Sequence, residues 1–488
     1  MRDLWRLFAL PGWDHSHVRG GNLRRLPAVP AAEMIGSGSR LQAAPHDFTE
    51  RKMLNRYPAL REDVRLRHHG ESSRVSSRGG RFRAFTVNRH AGELLNRCYG
   101  RDCLRTIVHD LLGKEPEKKS VKNILRFIQQ LDSMDILECV KDPQPVRLDT
   151  GGSLERVIPQ VVSLELTGQC NFHCRYCYQN ASSQRSGFMQ DPVEILTYFH
   201  ERNVAGVELT GGEPLLHPRF NEIIAFIMMN FDLLGLITNG SQLRECHLEQ
   251  IAAGPCMSAV QVCLDGHTPA MVEATTGVTG SFEMEVNAIR RVKDFGIVLR
   301  VGMVVDSPEK IDAMEPTLLL ARDLGADSFI AHPSIDFGRG VETVKAFSLE
   351  DQQRLNERMM DLQARYAGFF AREMEFSGGD FASMYNCGGG HRAMTVDWQG
   401  RLKPCPMIPA EELFLCYWKD IESDPCQRKA HAYHRLQGPK PDICGDCPHL
   451  PYCMNCIVRA LRAGHRKEDC RWKQKNRDLI KIIQPQFT

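Results

Sequence analysis

Three cysteines crowd one short stretch, Cys170, Cys174 and Cys177, in the run Cys-Asn-Phe-His-Cys-Arg-Tyr-Cys-Tyr directly after a strand-like segment. Thiolates spaced by three and then two residues can each take one iron of a cubane [4Fe-4S] cluster, leaving the fourth iron without a protein ligand. An iron of that kind is a place for a small molecule to chelate. Zinc is the competing reading, yet structural zinc sites want four protein ligands in paired spacing, and this loop offers three with aromatics between them. A second set lies far downstream: Cys387, Gly400 and Cys405, then Cys444, Cys447, Cys453, Cys456 and Cys470. A zinc module on Cys444, Cys447, Cys453 and Cys456 is the alternative there. The other eight cysteines, at 98, 103, 139, 246, 256, 263, 416 and 426, show no ligand spacing to one another and read mostly as small buried hydrophobes. His68-His69 lies in a basic polar stretch and reads as a solvated loop.

The elements that must hold these groups can be read from periodicity. Strand-like runs at 161–167, 206–210, 234–238, 259–264, 298–304 and 328–332 alternate with amphipathic helices, one of them opening with Asp191 as N-cap and Pro192 at the first position. This alternation predicts an α/β fold, a parallel, partial (β/α)6 barrel of the TIM type over 155–345, with its chemistry at the C-terminal ends of the strands. Three turns fall at such ends: Gly211-Gly212-Glu213-Pro214, Thr238-Asn239-Gly240 and Leu264-Asp265-Gly266. The glycine pair permits close backbone approach to a ligand. A helical bridge spans 346–375, and in 376–488 regular periodicity fades, so that cysteines must supply the order.

Upstream, 51–148 reads as a small α+β domain: a short extended segment near 64–66, a polar turn at 71–80, a strand at 81–87, then helical runs through Leu94, Ile107, Ile124 and Leu131. Residues 1–50 read as a loose extension or a misassigned start. Residues 51–150 hold 21 Lys and Arg against 13 Asp and Glu, an excess that suits an acidic peptide, a nucleic acid or plain solvation.

The first cysteine run resembles the signature of the radical SAM superfamily, Cys-x3-Cys-x-aromatic-Cys, with Tyr176 as the aromatic. The resemblance implies a [4Fe-4S] cluster on Cys170, Cys174 and Cys177, with S-adenosyl-L-methionine chelating the open iron and cleaved to a 5′-deoxyadenosyl radical that abstracts a substrate hydrogen. Gly211-Gly212-Glu213-Pro214 matches the superfamily's GGEP motif, and the resemblance implies cofactor contacts at Tyr176, Gly211, Gly212, Glu213, Pro214, Thr238, Asn239 and Asp265. Cys263 departs from it, standing where relatives often carry Ser.

The downstream array resembles the SPASM extension of peptide-modifying members, except that Cys453 and Cys456 are separated by two residues instead of three. Carried over by position, Cys444, Cys447, Cys453 and Cys470 hold one auxiliary iron–sulfur cluster, and Cys387, Cys405 and Cys456 hold another. The fourth ligand of the latter comes from a cysteine such as Cys416 or Cys426, or its iron stays open. The domain at 51–148 resembles the RiPP recognition element, a winged-helix-like fold that captures a leader peptide as an added strand. Its sheet edge would be 81–87 and its helix 121–137.

Together these resemblances imply a cytoplasmic radical SAM maturase with two auxiliary clusters. It would bind a precursor peptide through the N-terminal domain, take electrons from a one-electron reductant such as a flavodoxin or ferredoxin, and form a thioether or other cross-link. Pro406 follows Cys405 where sulfatase maturases commonly place an acidic base, which counts against a folded-protein substrate. A small-molecule substrate such as a tetrapyrrole stays open, as does an iron–sulfur regulator with a DNA-binding winged helix. Hydrogen abstraction needs no titratable side chain, so pattern assigns no catalytic base. The 62 Lys and Arg nearly cancel the 60 Asp and Glu across 488 residues, and no apolar run approaches a bilayer's width, so neither nucleic acid nor membrane is expected as a partner.

Overall fold

The computed structural model describes residues 52–78, 82, 84–113, 116–184, 187–370, 386–454, 456–464 and 469–484, together with Phe8 and Ala9. Expectations for the rest of 1–50, for Arg81 and Arg83 of the sheet edge, for 371–375 of the bridge and for 376–385 of the cysteine-rich region lie outside the described residues. The chain divides into an N-terminal unit drawn mainly from residues up to Thr150 and a second unit running from Gly151 onward that also takes in Arg67–Ser72.

The N-terminal unit packs the helices Arg89–Leu95, Leu104–Leu112 and Lys118–Ser133 on a core that includes Leu95, Leu104, Ile107, Ile128 and Leu131. Asn88 caps the first of them by accepting from the Ala91 amide. The strands of this part of the chain are β1 (Phe8–Ala9), β2 (Tyr57–Leu60), β3 (Val64–His69), β4 (Ser72–Ser77), β5 (Phe85–Asn88), β6 (Leu137–Val140) and β7 (Asp149–Ser153), with β5 beside β4 and β2 antiparallel to β6. Two expectations are corrected here. The polar stretch 71–80 holds a strand, because Ser73, Arg74, Val75 and Ser76 are all buried in the sheet and tertiary context overrides their turn-like composition. His68 and His69 lie on β3 and are buried, not solvated.

In the second unit six parallel strands, β8 (Val161–Glu165), β9 (Gly206–Thr210), β10 (Leu233–Thr238), β11 (Met257–Cys263), β12 (Val298–Val305) and β13 (Ser328–Pro333), neighbour one another in chain order. The helices that alternate with them include Pro192–Glu201, Phe220–Asn230, Ser281–Asp294 and Lys310–Asp323, the topology of a partial β/α barrel. Asp191 does not cap the first of these: it adopts a left-handed conformation at φ 47° and makes no side-chain cap bond. Pro192 at the first position, whose fixed φ suits a helix start, remains.

Each strand sorts its residues by side. Val162, Leu164, Val207, Leu209, Val260, Val262, Leu299 and Val301 share one fully buried apolar core with the helices. Ser163, Glu165, Glu208, Gln261 and Arg300 alternate with them and therefore line the opposite face. Register sets Ser163 against Glu208 and Gln261 against Arg300. A parallel sheet covered by helices on both faces would be apolar on both; the polar face marks the concave side of the barrel.

Beyond β8 the same sheet continues. β14 (Ala393–Val396) pairs parallel with it, then β15 (Arg401–Lys403) and β16 (Cys416–Tyr417) add antiparallel, giving nine strands. The cysteine-rich region then proceeds through short helices, among them Pro441–Cys444, Leu450–Cys453 and Ile457–Gly464. Between barrel and β14 runs the helix Leu349–Arg365, closed at its start by a capping box of Ser348 with Asp351. Among the described residues no helix is long and apolar enough to cross a membrane.

Candidate active site

The cysteine loop leaves β8 and is seated by backbone bonds. The Gly212 amide donates to the Thr167 carbonyl at 2.7 Å and the Glu213 amide to the Gln169 carbonyl at 2.8 Å. A Cβ at Gly212 would come within 2.0 Å of the Gln169 carbonyl oxygen, and Gly211 holds a φ of +136°. These glycines are required because the backbone leading into Cys170 lies against them, a nearer cause than the ligand approach read from the sequence. On the other side, Arg339 donates through Nε to the Cys174 carbonyl (2.8 Å) and through Nη2 to the Ala181 carbonyl (2.9 Å). Gly338, at φ +56°, would place a Cβ 2.5 Å from the carbonyl oxygens of both Cys177 and Tyr178. Sequence spacing missed this clasp, since Arg339 is 165 residues from Cys174.

The thiols sit in a small apolar nest of Phe172, Ala181 and Val278. Burial pushes the Cys170 thiol up to about 12, with Glu213 adding to the rise. Burial likewise holds Cys174 well above the ordinary thiol value, with Asp265, Cys177 and Cys170 raising it further. Thiols so placed keep their protons until a metal's charge displaces them. Among the described residues no three Cys, His, Asp or Glu side chains converge on a single-ion site. A cubane takes one thiolate per iron, so its ligands surround a volume instead of a point. The donor set fits the cluster, and these three cysteines would hold it.

The strand-end residues expected to touch the cofactor are brought together, and much of their bonding is to each other. Burial raises the Glu213 carboxyl to about 7, and it accepts from Thr238 Oγ1 (2.7 Å) and from the amides of Asn239 (2.9 Å) and Leu215 (3.1 Å). Pro214 opens a short 3-10 turn after it. Asn239 Nδ2 donates to Asn171 Oδ1 at 3.0 Å and reaches Cys170 Sγ at 3.9 Å. Tyr176 donates its hydroxyl to Asp265 Oδ2 at 2.6 Å, and Asp265 Oδ1 accepts the Val304 amide at 2.7 Å. Burial pushes both the Tyr176 phenol and the Asp265 carboxyl up.

Beside Asp265 sit groups the sequence did not single out. Arg175 and Lys310 pair with the buried Asp306 at 2.5 and 3.0 Å. Glu285 is wholly buried on the helix Ser281–Asp294, and neither of its oxygens has a hydrogen-bond partner among the described residues. An acid on that helix's apolar stripe, between Ser281 and Ala288, was the signal available. Cys263 lies within reach of the charges of Asp265, Glu285 and Glu213. Unmet hydrogen-bonding capacity here suits a polar ligand.

The downstream thiols lie close enough to act on one another, and Cys456 acts on both Cys405 and Cys453. Burial raises the Cys405 thiol and Cys387 and Cys456 raise it further, while the Met407 amide and Lys403 oppose. Cys444 is raised by burial, then by Cys447 and Cys470. Cys453 is pushed by burial to about 12, with Cys456, Cys447 and Cys470 adding. Cys416 and Cys426 form a disulfide, their Cα atoms 5.7 Å apart, because β16 is brought against the helix Asp424–Arg435. Neither is the lone buried hydrophobe or the spare cluster ligand expected of it.

The stretch 164–321, with three clustered thiols beyond the first barrel strand and a glycine-glycine-acid turn beyond the second, matches the model of the Radical SAM superfamily. The chain is 26% identical to the antilisterial bacteriocin subtilosin biosynthesis protein AlbA of Bacillus subtilis over 83% of its own length and 91% of that protein's. It is 26% identical to the mycofactocin maturase MftC of Mycobacterium ulcerans over 63% of this chain and 85% of the other. In structure it is similar to Streptococcus suis SuiB bound to the precursor peptide SuiA, with a TM-score of 0.52, 14% identity, and coverage of 83% of this chain and 97% of that one.

Proposed function

We propose that this enzyme binds a ribosomally synthesised precursor peptide through its N-terminal unit and abstracts a hydrogen from a core residue, forming a thioether or other cross-link. The observation that carries this reading is the reach of the subtilosin biosynthesis protein. Its match takes in 83% of the chain, more than residues 151–488 make up, so the likeness extends from the barrel and cysteine-rich region into the N-terminal unit. The maturase relative and a neighbour of the same fold solved with a precursor peptide support the same substrate class.

Bound at Cys170, Cys174 and Cys177, the cluster and S-adenosylmethionine would supply the hydrogen-abstracting radical. The chain's own residues hold the surroundings. Arg339 and the glycines fix the loop, and the apolar nest keeps water from Cys170. Glu213 ties the second strand end to the third, and Tyr176 ties the loop to the fourth. Ser163, Glu208, Gln261 and Arg300 on the concave face offer polar partners to a peptide, whose orientation decides which hydrogen meets the radical. In the downstream region Cys387, Cys405 and Cys456 would hold one auxiliary cluster and Cys444, Cys447, Cys453 and Cys470 the other. The electrons would come from a flavodoxin or ferredoxin in the cytoplasm. The basic surplus of 51–150 suits an acidic leader.

The test is anaerobic incubation of reconstituted enzyme with S-adenosylmethionine, reductant and a short peptide encoded beside its gene, read by intact mass. Loss of two hydrogens is the expected result. Formation of 5′-deoxyadenosine with an unchanged peptide mass would overturn the cross-link, and equal affinity for a peptide stripped of its leader would overturn the role of the N-terminal unit.

A further inference from the structure

A chain of side chains joins the two cysteine regions through the interior. Tyr178, next to Cys177, accepts from Gln179 Nε2 at 3.0 Å, and the same amide donates to Glu165 Oε1 at 2.6 Å. Glu165 ends β8 and is ion-paired at 2.6 Å to Lys403 Nζ, at the end of β15, which also donates to the Pro406 carbonyl at 3.2 Å. Both charged groups are about as buried as any in the protein, at 3% and 2% exposed. Lys403 Nζ stands 5.9 Å from the Tyr178 ring centre, and the phenol itself feels the charges of both Cys177 and Cys405.

A buried ion pair is poor evidence for stability, since well-packed apolar residues of similar volume often serve as well or better. This one sits two residues before Cys405, with its cation on the side of that thiol. Iron–sulfur potentials are set by net charge, by hydrogen bonds to sulfur and by exposure, and a charge acts most strongly where water is excluded. We propose that the Lys403–Glu165 pair is a positioning device that sets the reduction potential of the cluster at Cys387, Cys405 and Cys456, with Lys403 raising it and Glu165 moderating that effect. The inference rests on the assignment of those three cysteines as cluster ligands.

The experiment is a potentiometric titration followed by electron paramagnetic resonance on the anaerobically reconstituted full chain. Lys403→Met is expected to lower the midpoint of the auxiliary cluster and to leave that of the cluster at Cys170, Cys174 and Cys177 in place. Glu165→Gln is expected to raise it. The double variant, which leaves no buried charge unpaired, is expected to fall between the parent and Lys403→Met, because Lys403 reaches the Pro406 carbonyl beside Cys405 and is the one of the two whose charge acts on that thiol. Parental midpoints in all three variants would overturn the proposal. If the single variants fail to hold their clusters, the double variant decides alone: a lowered midpoint supports the device and an unchanged one overturns it. Cys405→Ala separates the two readings. Unchanged iron content and spectrum in that variant would remove the cluster assignment itself, and the proposal with it.

Discussion

The cysteine loop after β8 and the cysteine-rich C-terminal region position their thiols by different means. In the first, three thiols lie within eight residues, and the protein builds a bed for them: two glycines with no room for a Cβ, an arginine on the loop's carbonyls, and two strand-end networks behind. In the second, seven thiols are spread over more than eighty residues, with short helices, turns and one disulfide between them. The first region is seated by backbone contacts to neighbouring strand ends, whereas in the second the thiols hang on short helices and turns packed into the shared apolar core, and the metal ligation proposed above would add to that order.

That contrast can be broken or sharpened by experiment. The largest effect belongs to Cys174→Ala, which should reduce formation of 5′-deoxyadenosine to background after anaerobic reconstitution. Cys405→Ala should keep that cleavage while losing part of the bound iron. Equal loss of cleavage in both would erase the distinction between the regions, and chromatography of the nucleoside with an iron assay reads both outcomes.

Next in size is Gly212→Ala. Its methyl would press on the Gln169 carbonyl, so the barrel should lose about 3 kcal/mol in denaturant unfolding. A neutral result would mean that the loop can shift away and is less firmly seated than the backbone bonds indicate.

Comparable in size over its full range, and smaller at any one pH step, is a pH slope. Burial raises Glu213 from 4.5 to about 7, so the folded chain keeps a proton that the unfolded chain releases. Its contribution to stability is therefore fullest below about 4.5, declines as pH rises toward about 7 and is level above that. Glu213→Gln should flatten this part of the profile in iron-free protein, as measured by denaturant midpoints across that range. An identical slope in parent and variant would place the titration elsewhere.

What could be read in advance follows the same divide. Local spacing carries Cys170, Cys174 and Cys177, and strict alternation carries the six barrel strands, because both signals are complete within a few residues. Arg339 on the Cys174 carbonyl and Lys403 on Glu165 join positions 165 and 238 residues apart, so no local pattern announces them. Ser72–Ser77 and His68-His69 misled because composition reports preference and the sheet imposes burial. Cys416 and Cys426 carry no ligand spacing, and only the approach of β16 to a later helix explains their pairing.

β14 lies against β8, the very strand that delivers the cysteine loop. Cutting the chain before residue 393 would strip β8 of its neighbour and expose a row of unpaired amides and carbonyls, an invitation to edge-to-edge aggregation. The barrel is thus no detachable module: an expression fragment or a chimaera that ends at the barrel inherits a sticky seam, and swapping the C-terminal region between relatives requires carrying its strands across with it.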